Sequence, residues 1–192
     1  MGLGKIAAAA ILGALVAGCS MPVAHKPAMI AAQEPVSHEV PYRWSTGTAP
    51  QAHGDMVATF NKVGLKPGDY LWAATVPNEG DTRVVIDLLT QMAYAYRGDT
   101  LIGAASISSA KRGMVTPLGH WTILEKRKFH RSRKYDNAPM PFMQRLDKYG
   151  IALHGGANPG YPASHGCIRL PMKFAEKLYG VTKVGSKVVI EG

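Results

Sequence analysis

From Leu65 to the C-terminus the apolar residues come in short runs, each closed by a turn rich in Gly, Pro or Asp. That punctuation limits the possible folds more than any other feature of the sequence. Tyr70 to Ala74, Arg83 to Leu89, Gln91 to Tyr96, Leu101 to Ser108, Trp121 to Leu124, Tyr149 to His154 and Ser186 to Ile190 all have strand length. The third run alternates with period two, and Arg97-Gly98-Asp99-Thr100 turns it into the fourth, which predicts a hairpin. One helix stands out, from Pro171 to Tyr179. Pro suits its first position, Met172, Ala175, Leu178 and Tyr179 share a face, and Gly180 can end it. The pattern therefore predicts a mainly β domain over residues 66–192, a sandwich or partly closed barrel with one or two short helices. About 125 residues suffice for an ordinary core.

Ahead of this domain the chain has a different character. Lys5 precedes an apolar run from Ile6 to Val16, which ends in Val16-Ala17-Gly18-Cys19. Eleven residues are too few for a permanent membrane helix and suit the core of a secretory signal. Residues 19–65, rich in Ala, Pro, Gly, His and Ser, read as a flexible tether with one short helix from Asp55 to Lys62, where Asp55 can cap. Such a coil spans roughly 35–40 Å, enough to hold a domain away from a surface. Lys and Arg outnumber Asp and Glu by 22 to 13, a net charge of +9. The excess favours anionic partners. The basic loop Lys126, Arg127, Lys128, Arg131, Arg133 and Lys134, with His130 among them, allows nucleic acid as one reading; export argues against it and favours a basic lid over an anionic substrate.

The chemistry gathers between His154 and Pro171. Of two cysteines, Cys19 opens the flexible tether, so Cys167 is left without an intramolecular partner in a compartment expected to oxidise thiols. That flags a reactive thiol, although an unpaired Cys is also often a small buried hydrophobe. His154 and His165 each qualify as the base that activates it: His165 shares a strand face with Cys167, and His154 would face it from a neighbouring strand. Gly166 and Cys167 present successive N–H groups suited to an oxyanion hole. Ser164, His165 and Gly155 join as support, Ser164 as a hydrogen-bonding brace rather than a second nucleophile. Arg169 fits a bidentate grip on a substrate carboxylate, or equally a structural ion pair. A zinc site from His154, His165 and Cys167 has suitable ligand types but no spaced cluster of further ligands, and no metal is assigned.

His154-Gly155 followed by Ser164-His165-Gly166-Cys167-Ile168-Arg169 resembles the signature of the bacterial L,D-transpeptidase catalytic domain (YkuD-like). Val85-Ile86-Asp87, Gln91, Tyr94 to Tyr96, Thr116-Pro117, Gly119 and Asn137 to Pro141 look like further landmarks of that family, so the resemblance covers roughly residues 66–191. The nine residues between His154 and Ser164 are fewer than in many members. The resemblance implies a β-rich sandwich acting on peptidoglycan stem peptides without metal or organic cofactor. Cys167 would attack the third residue's carbonyl, D-Ala would leave, and an amine of another stem would resolve the thioester to a 3→3 cross-link. It assigns the base to His154; since no Asp or Glu lies between Asp147 and Glu176, a backbone carbonyl is expected to orient its second ring nitrogen. Water as acceptor (a carboxypeptidase or hydrolase) or a lipoprotein lysine (a tethering enzyme) are the alternatives, and an inactive wall-binding lipoprotein is the reading from another class. Val16 to Cys19 likewise resembles a lipoprotein signal. By that resemblance residues 1–18 are removed, Cys19 is lipidated, and the mature protein sits in the periplasm on a membrane, with Ser20 favouring the outer one.

Overall fold

The computed structural model describes Met1 and residues 47–192. The signal sequence, Cys19 and the tether as far as residue 46 lie outside the described residues. Ten strands and two helices follow in the order α1 (Thr48–Phe60), β1 (Tyr70–Trp72), β2 (Thr82–Asp87), β3 (Met92–Arg97), β4 (Thr100–Ser106), β5 (Gly119–Thr122), β6 (Glu125–Arg127), β7 (Met143–Arg145), β8 (Ala152–Gly155), β9 (Ile168–Leu170), α2 (Met172–Val181) and β10 (Lys187–Glu191). They build two mixed sheets, one of six strands in the order β1-β4-β3-β2-β10-β5 and one of four in the order β6-β7-β8-β9. The described residues are mainly β with two helices, as the punctuation of the sequence predicts.

The central strands β2, β3 and β4 of the six-stranded sheet are buried on both faces. Val84, Ile86, Ala93, Ala95 and Ile102 point into the main core with Leu153, Ile168 and Leu170 of the second sheet and Phe174, Ala175 and Leu178 of α2. Val85, Met92, Tyr94, Tyr96 and Leu101 point the opposite way, against Ala49, Ala52 and Met56 of α1. Strands covered on both sides are apolar at nearly every position, so the period-two alternation of β3 is of large and small apolar residues, both kinds buried, and not of buried and exposed ones.

Helix α1 corrects the sequence reading of the tether. Residues 48–60 pack on the sheet, with Ala49 and Met56 fully buried. Asp55 lies in the middle of the helix and accepts a hydrogen bond from Tyr96 Oη at 2.7 Å instead of capping a helix start. The first turn is held by a residue far along the chain: Ala49 N–H donates to Glu191 Oε2 at 2.8 Å. No local pattern carries that contact. In α2 the buried residues are Phe174, Ala175 and Leu178, while Met172 is half exposed; Pro171 is the N-cap rather than the first helical residue, and the helix runs through Gly180 to Val181, with Thr182 as its C-cap. Phe174 takes the core position because its ring packs on Tyr70 and Trp72 of β1, with centroids 6.3 and 5.5 Å away. The loop from Glu125 to Tyr149 is partly ordered as β6 and β7, which pair antiparallel (Glu125 with Arg145, Arg127 with Met143).

Candidate active site

Two parallel neighbours carry the chemistry. In the β8–β9 ladder Leu153 pairs with Ile168 and His154 with Arg169. Leu153 and Ile168 face the core, so the alternation of strand side chains places Ala152 and His154 on the outer face, with Arg169 opposite. Cys167, one residue before β9, is level with Ala152 and shares that face. Parallel ladder spacing puts Cα atoms related in this way about 8 Å apart, so a thiol and an imidazole can meet across the gap.

His154 is buried, at 7% exposure. Its Nδ1 lies 2.9 Å from the Gly155 carbonyl oxygen. A carbonyl can only accept, so Nδ1 carries the proton and Nε2 holds the lone pair. Burial depresses the imidazole pKa to about 4, and the positive field of Arg169 and His130 pushes the same way against the favourable Gly155 contact. Burial raises the Cys167 thiol above its ordinary value, more than the Ala152 backbone hydrogen bond and Arg169 lower it, and the Asp147 carboxylate adds to the rise. The resting pair is therefore a neutral thiol and a neutral imidazole, an arrangement for general-base catalysis rather than a standing ion pair. The thiol donates to the Gly150 carbonyl at 3.4 Å.

A buried brace shapes the turn before Cys167. Ser164, at 2% exposure, donates from Oγ to the Cys167 carbonyl at 2.5 Å and accepts from Gly166 N–H at 3.0 Å. Thr116 Oγ1 donates to the Gly166 carbonyl at 2.8 Å and accepts from Ala110 N–H at 3.1 Å. The Gly166 N–H expected at the oxyanion is thus engaged by Ser164. Gly166 itself has φ +133, and a Cβ there would lie 2.6 Å from Ile151 Cδ1 and 3.0 Å from the Val115 carbonyl oxygen, so only glycine fits.

His165 turns away from the thiol. Its ring stacks on Tyr135 at 4.3 Å between centroids, and Nε2 lies 3.1 Å from Lys111 Nζ. The zinc set of His154, His165 and Cys167 is accordingly not assembled, and among the described residues no three His, Cys, Asp or Glu side chains are placed to hold a metal. Gly155 N–H donates to the Pro141 carbonyl at 2.8 Å. A Cβ on Gly155 would meet Met172 Sδ at 2.8 Å, so this glycine lets α2 close on the site. Arg169 takes part in none of the ion pairs among the described residues and lines the cavity. Sequence reasoning missed Asp147, Gly150 and the bracing role of Thr116. Asp147-Lys148-Tyr149-Gly150 is a legible turn signal, but nothing in it points to the thiol.

These side chains open into one cavity of about 760 Å³, lined by His154, Cys167 and Arg169 on one side and by Arg127, His130, Arg133, Lys134 and Tyr135 of the basic loop on the other. A family model described as the L,D-transpeptidase catalytic domain (YkuD) matches residues 81–190. The chain belongs to that family. Among solved structures this L,D-transpeptidase domain is similar to the L,D-transpeptidase (residues 123–326) of Xylanimonas cellulosilytica, at 25% identity and a TM-score of 0.52, over 62% of this chain and 64% of that one. The L,D-transpeptidase of Stackebrandtia nassauensis shares 24% identity over 77% of this chain and 68% of that one, with a TM-score of 0.55. L,D-transpeptidase 3 of Mycobacterium tuberculosis, solved in complex with a faropenem-derived adduct, shares 19% identity over 57% of this chain and 60% of that one, with a TM-score of 0.53. The chain thus spans just under two thirds of the first of these. No curated protein matches it.

Proposed function

We propose that the chain is a peptidoglycan L,D-transpeptidase. The observation that carries this reading is a thiol and a proton-accepting imidazole on adjacent strands of one cation-lined cavity, in a member of this family. On binding of an acyl donor, Cys167 passes its proton to His154 Nε2 as Sγ attacks the carbonyl of the stem's third residue. The oxygen gains charge, and the Cys167 N–H is the donor of the turn assigned to it; one such donor typically contributes ~3 kcal/mol to the transition state. The C–N bond then breaks, the imidazolium protonates the departing amine, and D-Ala leaves a thioester. An acceptor amine surrenders a proton to Nε2, attacks the thioester, and the sulfur departs, recovering the proton. No metal or organic cofactor has a part in this sequence. Arg169, beside His154 and without an ion-pair partner among the described residues, is suited to a donor carboxylate.

Mass analysis of the products from purified protein and disaccharide-tetrapeptides tests this. A cross-linked dimer lighter than its two tetrapeptide units by one free D-Ala is expected. Tripeptide alone would mean that water is the acceptor, and no change together with no carbapenem adduct on Cys167 would leave only a wall-binding role. We further propose export and anchoring through lipidated Cys19 in the periplasm. Cys19→Ala should move the protein from the membrane to the soluble fraction, and retention on the membrane would refute the anchor. Among the described residues no helix is long and apolar enough to cross a membrane.

A further inference from the structure

The segment between β7 and β8 is folded around a single carboxylate. Asp147 Oδ1 accepts from the N–H groups of Tyr149, Gly150 and Ile151 at 2.9, 2.8 and 2.8 Å. Leu146 N–H donates to the Ile151 carbonyl at 2.8 Å, which closes the turn, and Arg145 Nη1 donates to the Asp147 carbonyl at 2.9 Å, which ties it to β7. Gly150 has φ +100, and the turn delivers its carbonyl to Cys167 Sγ. Three convergent N–H groups are far more than a surface carboxylate needs to keep its place. What the convergence fixes is the direction of one peptide plane.

We propose that Asp147 is a positioning residue for Cys167: by gathering three N–H groups it aims the Gly150 carbonyl at the thiol and parks the S–H there, away from His154, until an acyl donor enters. The proposal rests on Cys167 being the nucleophile. The parked thiol keeps its proton on a carbonyl that cannot take it, which lowers its reactivity in the empty site. An arriving donor that displaces the contact frees the S–H to turn to Nε2. The other titratable or charged groups lining the cavity are His154 on β8, Arg169 on β9, His165 beside the thiol, Arg145, Lys148 and Tyr149 near Asp147, Glu125 and Arg127 on β6, and His130, Arg133, Lys134 and Tyr135 from the basic loop. None of these supplies the acceptor that the thiol uses.

Alkylation of Cys167 by iodoacetamide against pH reads this directly, without any need for transpeptidase turnover, so a chain inactive on peptidoglycan would still pass or fail it. Asp147→Ala removes the clamp and should raise the rate at pH 7 about three- to tenfold and lower the midpoint of the profile. Asp147→Asn keeps an oxygen for the same N–H groups while losing the charge, and should lie nearer to the native protein than to Asp147→Ala. Gly150→Ala has open space for its methyl group and acts only through the strained φ, so it should shift the profile in the same direction as Asp147→Ala. If Asp147→Ala does not fold, Gly150→Ala decides. Profiles that superimpose on the native one would overturn the proposal. So would Asp147→Asn matching Asp147→Ala, because charge alone would then be acting.

Discussion

The turn that carries Cys167 and the basic loop across the cavity from it are held by opposite kinds of interaction. In the turn before the thiol the bonds are neutral and made by buried side chains: Ser164 to Cys167 and Gly166, and Thr116 to Gly166 and Ala110. In the basic loop they are exposed: Arg131 donates to the Asn137 carbonyl at 3.0 Å, Ser132 Oγ accepts from Lys134 N–H at 3.3 Å, and Phe129 is 82% exposed. At its base Glu125 is shared by Arg127 and Arg145, which hold its carboxyl below the usual range. Buried neutral bonds barely respond to salt, whereas exposed ionic ones are screened beyond about 10 Å at 0.1 M. The support of Cys167 is therefore insensitive to salt, whereas the charged wall of the cavity responds to it. The stack of His165 on Tyr135 is the direct contact that joins the two regions through the motif itself.

The strongest way to break this contrast is at the reacting pair. Cys167→Ala should abolish thioester formation, seen as loss of any carbapenem adduct by mass spectrometry. His154→Ala should lower kcat/KM by about 10²–10⁴, the usual range for a general base, and His165→Ala by less than about tenfold. The reverse ranking would move the base to His165.

A second effect follows from the burial of His154. Its imidazole titrates near 6.5 when unfolded and about 4 when folded. Between those values the unfolded chain binds the extra proton, so the native state is fully favoured above about pH 6.5 and loses about 3 kcal/mol as pH falls to about 4. Urea unfolding at pH 7 and 4.5 should show a steeper loss for the native protein than for His154→Gln. Equal slopes would mean that the ring is accessible to solvent.

Ser164→Ala sharpens the comparison on the buried side. It leaves the Gly166 N–H and the Cys167 carbonyl without the brace, at a cost of about 1–3 kcal/mol, and should lower kcat as the turn loosens. Urea midpoints and single-turnover acylation measure the two parts. Tyr135→Ala on the exposed side should be the smallest change, about 0.5–1.5 kcal/mol for the lost ring contact. It should raise KM for an anionic donor while kcat holds. A fall in kcat instead would show that the basic loop takes part in the chemistry.

Much of the fold was legible because its evidence is local. Apolar runs between Gly, Pro and Asp turns mark most of the strands, and β6, β7 and β9 escaped because three-residue strands such as Glu125–Arg127 carry almost no periodicity. Helix α1 escaped in part because Ala49, Ala52 and Met56 form a narrow stripe, and its first turn is tied to Glu191 at the other end of the chain. At the site, residue types and spacing single out Cys167 and two candidate bases, His154 and His165, since a thiol nucleophile needs a base wherever it occurs; the choice of His154 came from the family resemblance.

Sequence alone thus determined the chemical inventory and the strand-rich class, because both are written in residue identity and short-range order. Tertiary structure alone decided what each group faces. It engaged the Gly166 N–H with Ser164, sent His165 to Tyr135 and Lys111, and brought the Gly150 carbonyl to the thiol. Such contacts depend on strand register and on the direction of single peptide planes. Both are set by packing between segments far apart in the chain, and no local pattern of side chains encodes them.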